Sequence, residues 1–195
     1  MTRLAPQKIE LLNSLVSEIS RNYARGRVIV AVDGIADTAE FADDLAEALK
    51  NVGRAAFRAS MRNFREPRVL RYSAGSLPSS DTYDIETLHR VLIDPFRDGG
   101  TGSFVLAAYD AERDAPIEPK WITAKADALL IVDGASLHTA ELRGLWHYSI
   151  WLVPHSEPDT VMTRYIKQVK PQGLASAIVD ASDQDRPRRL FADSC

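Results

Sequence analysis

Cysteine is nearly absent: the 195 residues hold one, Cys195, at the end of the chain. A disulfide framework within the chain is excluded, which suits a reducing, cytoplasmic compartment. Cys195 itself reads as a terminal residue with no structural task. Long apolar runs are missing too, so no segment is expected to span a bilayer. The start, MTRLAPQKIELL, lacks the apolar centre of a secretory signal. Excess positive charge is absent: 24 Lys and Arg stand against 27 Asp and Glu, a net charge of -3. That speaks against nucleic acid and against an anionic membrane as partners. The four histidines, His89, His138, His147 and His155, lack metal-ligand spacing, so no metal site is expected.

What is present is ordinary globular composition, with 45% hydrophobic and 26% charged residues. A chain of this length suits one domain with a full core, read here as residues 1–195 with an N-terminal helix over 1–25 and a tail over 184–195. Ile9, Leu12, Leu15, Val16 and Ile19 recur at helical spacing between Pro6 and Asn22. Apolar strands are expected at Arg27–Asp33, Ala55–Ser60, Phe104–Tyr109, Ala128–Asp133, Ser149–Val153 and Ala177–Asp180. Helices are expected from Thr38, with Asp37 or Thr38 as cap and Phe41, Leu45, Ala48 and Leu49 inward, and over Tyr83–Phe96 and Asp159–Lys167. The stretch from Asn63 to Pro78 reads as irregular and basic. Strands alternating with helices imply an α/β domain, a mostly parallel sheet between two helical layers.

The chemistry centres on AVDGIADTAEFADDLAEAL, residues 31–49, where a buried strand passes through Gly34 into a helix. A phosphate-binding loop of the form G-x-x-x-x-G-K-[ST] occupies such a place. Laid over it without gaps, Asp33 and Gly34 are followed by Ile35, Ala36, Asp37 and Thr38; Ala39 stands for the second glycine, Glu40 for the lysine and Phe41 for the hydroxyl. Glu40 sets a negative charge where a polyanion would need a positive one. A unit-charge pair at about 4 Å is worth about 1–4 kcal/mol between bulk water and a protein surface, and the reversed sign doubles that difference. Asp37 and Glu40 themselves suit the positive end of the helix.

Several segments in order resemble the uridine kinase-like branch of the P-loop nucleoside kinases, notably bacterial members. They are VIVAVDG with FADDLAEAL, RASMRNFREPRVLRYSAGSLPSSDTYDIETLHRVLIDPFRDGGTG, YDAERDAP, LLIVDGASLHTAELRGLW and SAIVDASD. Together they cover most of residues 27–183. If the FADDLAEAL block is aligned instead, the loop is two residues short. The resemblance implies the P-loop kinase architecture. It also implies a nucleoside pocket around Asn63, Phe64, Arg71, Tyr72, Tyr83, Asp84, Tyr109 and Asp110, and an acidic metal-holding position at Asp133 after a strand. For Asp133, a plain Asp-Gly turn stands as the alternative.

The departures fall on the chemistry. The loop lysine and hydroxyl are missing. The family's catalytic carboxylate position is Arg62 or Asn63, and a guanidinium cannot act as base. Against the family's pattern the arginine-bearing lid is shortened, with Arg164, Lys167 and Lys170 as its expected remnants. Trp146 and Trp151 read as core or interface, and Arg186, Arg188 and Arg189 as a solvated tail. The favoured expectation is a pseudokinase that binds or regulates, with a nucleoside or other small molecule and a second copy of the chain as candidate partners. No cofactor is expected; ATP and Mg²⁺ enter only where activity survives. Two alternatives stay open: an active nucleoside or small-metabolite kinase using Lys167 or Lys170, and a scaffold whose pocket is filled by its own side chains.

Overall fold

The helix expected from Pro6 forms as α1 (Pro6–Asn22), with Pro6 in its first turn, where a missing N–H costs nothing. In chain order follow β1 (Val28–Asp33), α2 (Thr38–Asn51), β2 (Ala56–Ser60) and a 3₁₀ turn at Met61–Phe64. Next come α3 (Arg68–Ser73) and a helical run of α4 (Ile85–Leu88), a π turn at His89–Ile93 and α5 (Asp94–Arg97). The chain closes with β3 (Tyr109–Asp110), β4 (Ala115–Pro116), β5 (Leu129–Gly134), β6 (Tyr148–Val153), α6 (Thr160–Val169), β7 (Ala177–Asp180) and β8 (Arg188–Leu190). This computed structural model describes residues 4–73, 83–98 and 102–191, with side chains omitted for 71–73. Cys195 lies outside them.

Six strands form one sheet in the order β2-β5-β1-β6-β7-β8, parallel except for β8. The central strands β1 and β5 are buried along their whole length, which is why they read as unbroken Val/Ile/Leu runs. Alternate residues of β1 point to opposite layers. Val28, Val30 and Val32 pack with α1 and α2. Ile29 and Ala31 pack with the α4–α5 run and the 3₁₀ turn. Because β1 lies between β5 and β6, the strand order reverses beside it, and the crevice at its carboxyl end is where such sheets place ligands.

Four expectations need correcting. Phe104–Tyr109 is no sheet strand: Phe104 pairs only with Ile122, and Tyr109 belongs to a two-stranded hairpin with Pro116. Its apolarity comes from covering the sheet, since Phe104 meets Phe57 and Phe96 edge-to-face at 5.5 and 5.3 Å. Arg188–Leu190 is no solvated tail but the antiparallel edge strand β8, where Arg189 clamps Glu18 of α1. The segment after Asn63, expected to be irregular, contains α3. Ile9 shares the helical spacing of the core yet is exposed, while Lys8 is buried in its stead, drawn inward by two carboxylates. Trp151 lies in the core, and Trp146 is half-buried with its indole N–H donating to Leu137 O at 2.7 Å.

Candidate functional site

β1 ends at Asp33, and Gly34 turns the chain so tightly that a Cβ there would meet Leu152 Cβ at 3.0 Å and Thr38 Cγ2 at 3.1 Å. Only Ile35, Ala36 and Asp37 separate Gly34 from the first residue of α2. Asp37 is the residue before the helix but has a left-handed backbone (φ 59°), and its side chain makes no cap hydrogen bond. Its carboxylate lies 3.6 Å from His155 Nε2 instead. Ala39 and Glu40 are exposed on the first turn. Glu40 is paired with Lys8 at 3.1 Å, and Lys8 is also 2.6 Å from Asp44. Burial works to lower the Lys8 pKa, but the hydrogen bonds and charges of Asp44 and Glu40 outweigh it and hold the ammonium above its ordinary value. The crevice between Lys8, Asp37, Glu40, Phe41 and Ala181 has about 10 Å³, room for no more than one water.

The ungapped overlay set Phe41 in the hydroxyl's place. The structure sends Phe41 into the core and brings a different hydroxyl forward: Thr38 Oγ1 donates to Asp133 Oδ2 at 3.2 Å. Asp133 is 2% exposed. Ser60 Oγ also donates to its Oδ2, at 3.3 Å, and Arg58 Nη1 stands 2.9 Å from Oδ1. Asp133 and Gly134 end strand β5 and form no turn: Gly134 accepts the Gly34 N–H at 3.2 Å, and the Asp133 carboxylate meets the head of α2 through Thr38.

Asp33 is fully buried and anchors a second polar line. Its Oδ2 accepts the hydroxyl of Tyr165 from α6 and lies 2.7 Å from His138 Nδ1. His138 Nε2 is 3.0 Å from Ser149 Oγ. A carboxylate–imidazole–hydroxyl line is the arrangement of a nucleophilic triad. Here Ser149 is 6% exposed within the sheet and exchanges hydrogen bonds with Ser176 (Ser149 N–H to Ser176 Oγ 3.1 Å, Ser176 N–H to Ser149 Oγ 3.4 Å), so the line ties elements together and presents no nucleophile. Burial first, then the charge and hydrogen bond of Asp33, push the Tyr165 hydroxyl far above its ordinary pKa, so it stays a donor.

Away from the loop the surface opens. A cleft of about 400 Å³ is lined by Phe64, Asp84, Tyr109 and Trp121, the last 54% exposed. A neighbouring cleft of about 300 Å³ runs from Ala39 and Ser60 past Arg62 and Asn63 to Asp110 and Glu112. Five of the residues expected around a nucleoside thus line two adjoining clefts. Asp84 caps α4 by accepting the Thr87 N–H at 2.8 Å. Asp110 accepts the N–H groups of Arg113 (3.1 Å) and Glu112 (2.9 Å), which hold its carboxyl below the usual range. Tyr83 turns elsewhere: its hydroxyl donates to Ala135 O at 3.1 Å. The side chains of Arg71 and Tyr72 lie outside the described residues. Arg164, Lys167 and Lys170 are exposed on or just after α6. The inner face of α6, Met162 and Tyr165, packs in one cluster with Ile35 of the loop, while these three cations are turned to solvent.

The sequence reading missed Arg58, Lys8, His138, Ser149 and Tyr165. One signal was available for two of them: a lysine at a helical core-facing position and an arginine inside an apolar strand both need buried partners. Among the described residues no group of three His, Cys, Asp or Glu side chains is placed to hold a metal. The residues at the loop do not fit a magnesium triphosphate. The first turn of α2 presents Glu40, the ammonium beside it is shared by Glu40 and Asp44, and the carboxylate that would serve a cation faces a guanidinium.

No family model and no curated sequence matches the chain. Solved structures do, and they establish the fold as that of the P-loop kinases. A "Possible Uridine Kinase" from Bacillus stearothermophilus superposes with a TM-score of 0.70 at 18% identity, covering 88% of this chain and 96% of its own. A "putative fructose transport system kinase" from Silicibacter sp. TM1040 gives 0.59 at 22% identity, covering 90% and 86%. D-glycerate 3-kinase from Cryptococcus neoformans gives 0.52 at 11% identity, covering 85% and 78%. Among the described residues no helix is long and apolar enough to cross a membrane.

Proposed function

We propose that this uridine kinase-like fold has given up efficient phosphoryl transfer and serves as a cytoplasmic binding or regulatory protein for a nucleoside or similar small molecule. The observation that carries the reading is the contrast in charge. At the head of α2 the acids are paired within the chain, Glu40 with Lys8 and Asp133 with Arg58. The cleft over Phe64, Asp84 and Tyr109 keeps about 400 Å³, with aromatic faces and a carboxylate suited to a base and a ribose. Phosphoryl transfer rests on positioning and charge stabilisation of the phosphates, and an acidic helix head opposes both. A homodimer is part of the same proposal, as the form in which such a protein would signal occupancy.

A thermal-shift titration tests it, with uridine, with inorganic phosphate, and with ATP in the presence and absence of Mg²⁺. A ligand at 100 times its dissociation constant adds about 2.7 kcal/mol, a rise of about 5–10 °C for a chain of this size. The expected result is a rise with uridine and none with millimolar ATP. A Mg²⁺-dependent rise with ATP, joined by uridine phosphorylation that Asp133→Ala abolishes, overturns the proposal.

A further inference from the structure

The surroundings of Asp133 have the chemistry of a hard-cation site with the cation replaced. Its carboxylate, the Thr38 hydroxyl and the Ser60 hydroxyl converge from β5, α2 and β2. The register makes this unavoidable for two of them, because Ser60 lies directly beside Asp133 in the β2–β5 ladder. Carboxylate and neutral oxygens are the donor set that Mg²⁺ and Mn²⁺ prefer. Arg58, two residues before Ser60 and so on the same face of β2, projects its guanidinium into this set.

The guanidinium is held from several directions. Nε donates to Asp43 Oδ1 at 2.7 Å, Nη1 to Ala59 O at 2.8 Å and Ile131 O at 3.4 Å, and Nη2 to Ala39 O at 3.3 Å. Its planar fork therefore has a fixed orientation, and it stays charged at any working pH. A divalent ion at the Asp133 carboxylate would have to share it with a positive group that cannot deprotonate or leave. The same guanidinium links α2 to β2 and β5, so the charge that masks the carboxylate also pins the head of α2 to the sheet.

We propose that Arg58 is a tethered substitute for a divalent cation: it neutralises Asp133 and masks a hard-cation site made of Asp133, Thr38 and Ser60, which opens to metal when the guanidinium is removed. The proposal is independent of what the 400 Å³ cleft binds, and its test contains no nucleotide. A folded Arg58 variant that fails to bind Mn²⁺ therefore leaves the reading of the triphosphate site standing, whereas a wild-type Mn²⁺ site at Asp133 counts against both; an ATP response without a Mn²⁺ site in wild type counts against that reading alone.

The test is Mn²⁺ titration of the full chain, read by loss of the free-ion EPR signal, for wild type, Arg58→Met, Arg58→Gln and the double variant Arg58→Met/Asp133→Asn. Cooperative thermal melts check that each variant is folded. Arg58→Gln keeps amide donors for the backbone carbonyls and serves if the methionine variant does not fold. The expected result is no saturable Mn²⁺ site in wild type, one site per chain at least tenfold tighter in the Arg58 variant, and loss of that site in the double variant. A folded Arg58 variant that binds Mn²⁺ no better than wild type overturns the proposal. So does a wild-type Mn²⁺ site that Asp133→Asn removes, an arm that needs no Arg58 variant to fold.

Discussion

The two sides of the site treat charge in opposite ways. Around the Gly34 loop the acids are held by partners inside the chain: Asp33 by Tyr165 and His138, Glu40 by Lys8, and Asp133 by Arg58, Thr38 and Ser60. Beside the cleft one carboxylate is left in tension: burial first, then the charges of Asp84 and Glu86, hold the Glu66 carboxyl above its ordinary value. A region that satisfies its own charges gains stability and loses the ability to recruit a ligand. A region that leaves charges in tension keeps binding capacity at a cost in stability. Here the internal pairing occupies the carboxylates at the head of α2, while the clefts that begin at Ala39 and at Phe64 stay open.

The comparison breaks most visibly at Asp33. Asp33→Ala strips the acceptor from the Tyr165 hydroxyl and from His138 in a dry interior, and should cost about 3 kcal/mol. A thermal melt should then show a fall of about 6–12 °C. A loss below about 1 kcal/mol would mean that the loop side does not draw its stability from these buried partners.

On the cleft side the expected cost is smaller. Asp84→Ala removes the cap of α4 and should cost about 1 kcal/mol, while Asp84→Asn, which still accepts the Thr87 N–H, should restore most of it. Chemical denaturation midpoints separate the two. If Asn fails as badly as Ala, Asp84 acts through its charge and not as a cap.

The smallest effect has the opposite sign. A carboxyl whose folded pKa is raised gives its full stabilisation below its ordinary value of 4.5 and loses it as pH rises through the raised value. Glu66→Gln should therefore raise the melting temperature at pH 7 by about 1–2 °C and make no difference below about pH 4. A melting temperature that falls at pH 7 would show that the cleft, like the loop, is stabilised by its charges.

Much of the fold was legible because burial writes itself into local patterns. RVIVAVD and ALLIVD are central parallel strands because both faces are covered, and α1 runs between the limits its apolar spacing marks. The Phe104–Tyr109 stretch misled for the same reason: covering a sheet and joining one demand equal apolarity, and only hydrogen-bond partners distinguish them. In the site, the sequence showed which ligand-holding groups are replaced in the loop, and five of the residues it set around a nucleoside line the open clefts, while Tyr83 turns to Ala135. It could not show that Thr38 presents the hydroxyl, because an overlay without gaps misjudges a loop that is shortened.

The sequence by itself determined an α/β sheet with a turn at Gly34, an acidic helix head and a lysine-free loop, since strand and helix periodicities and turn chemistry act over a few residues. Only the tertiary structure decided which partner each charge meets. Lys8 reaches Glu40 across 32 residues, Thr38 reaches Asp133 across 95, and Asp33 meets His138 across 105. Such pairings follow from strand order and register, because a buried charge must find whichever complementary group the packed layers bring beside it.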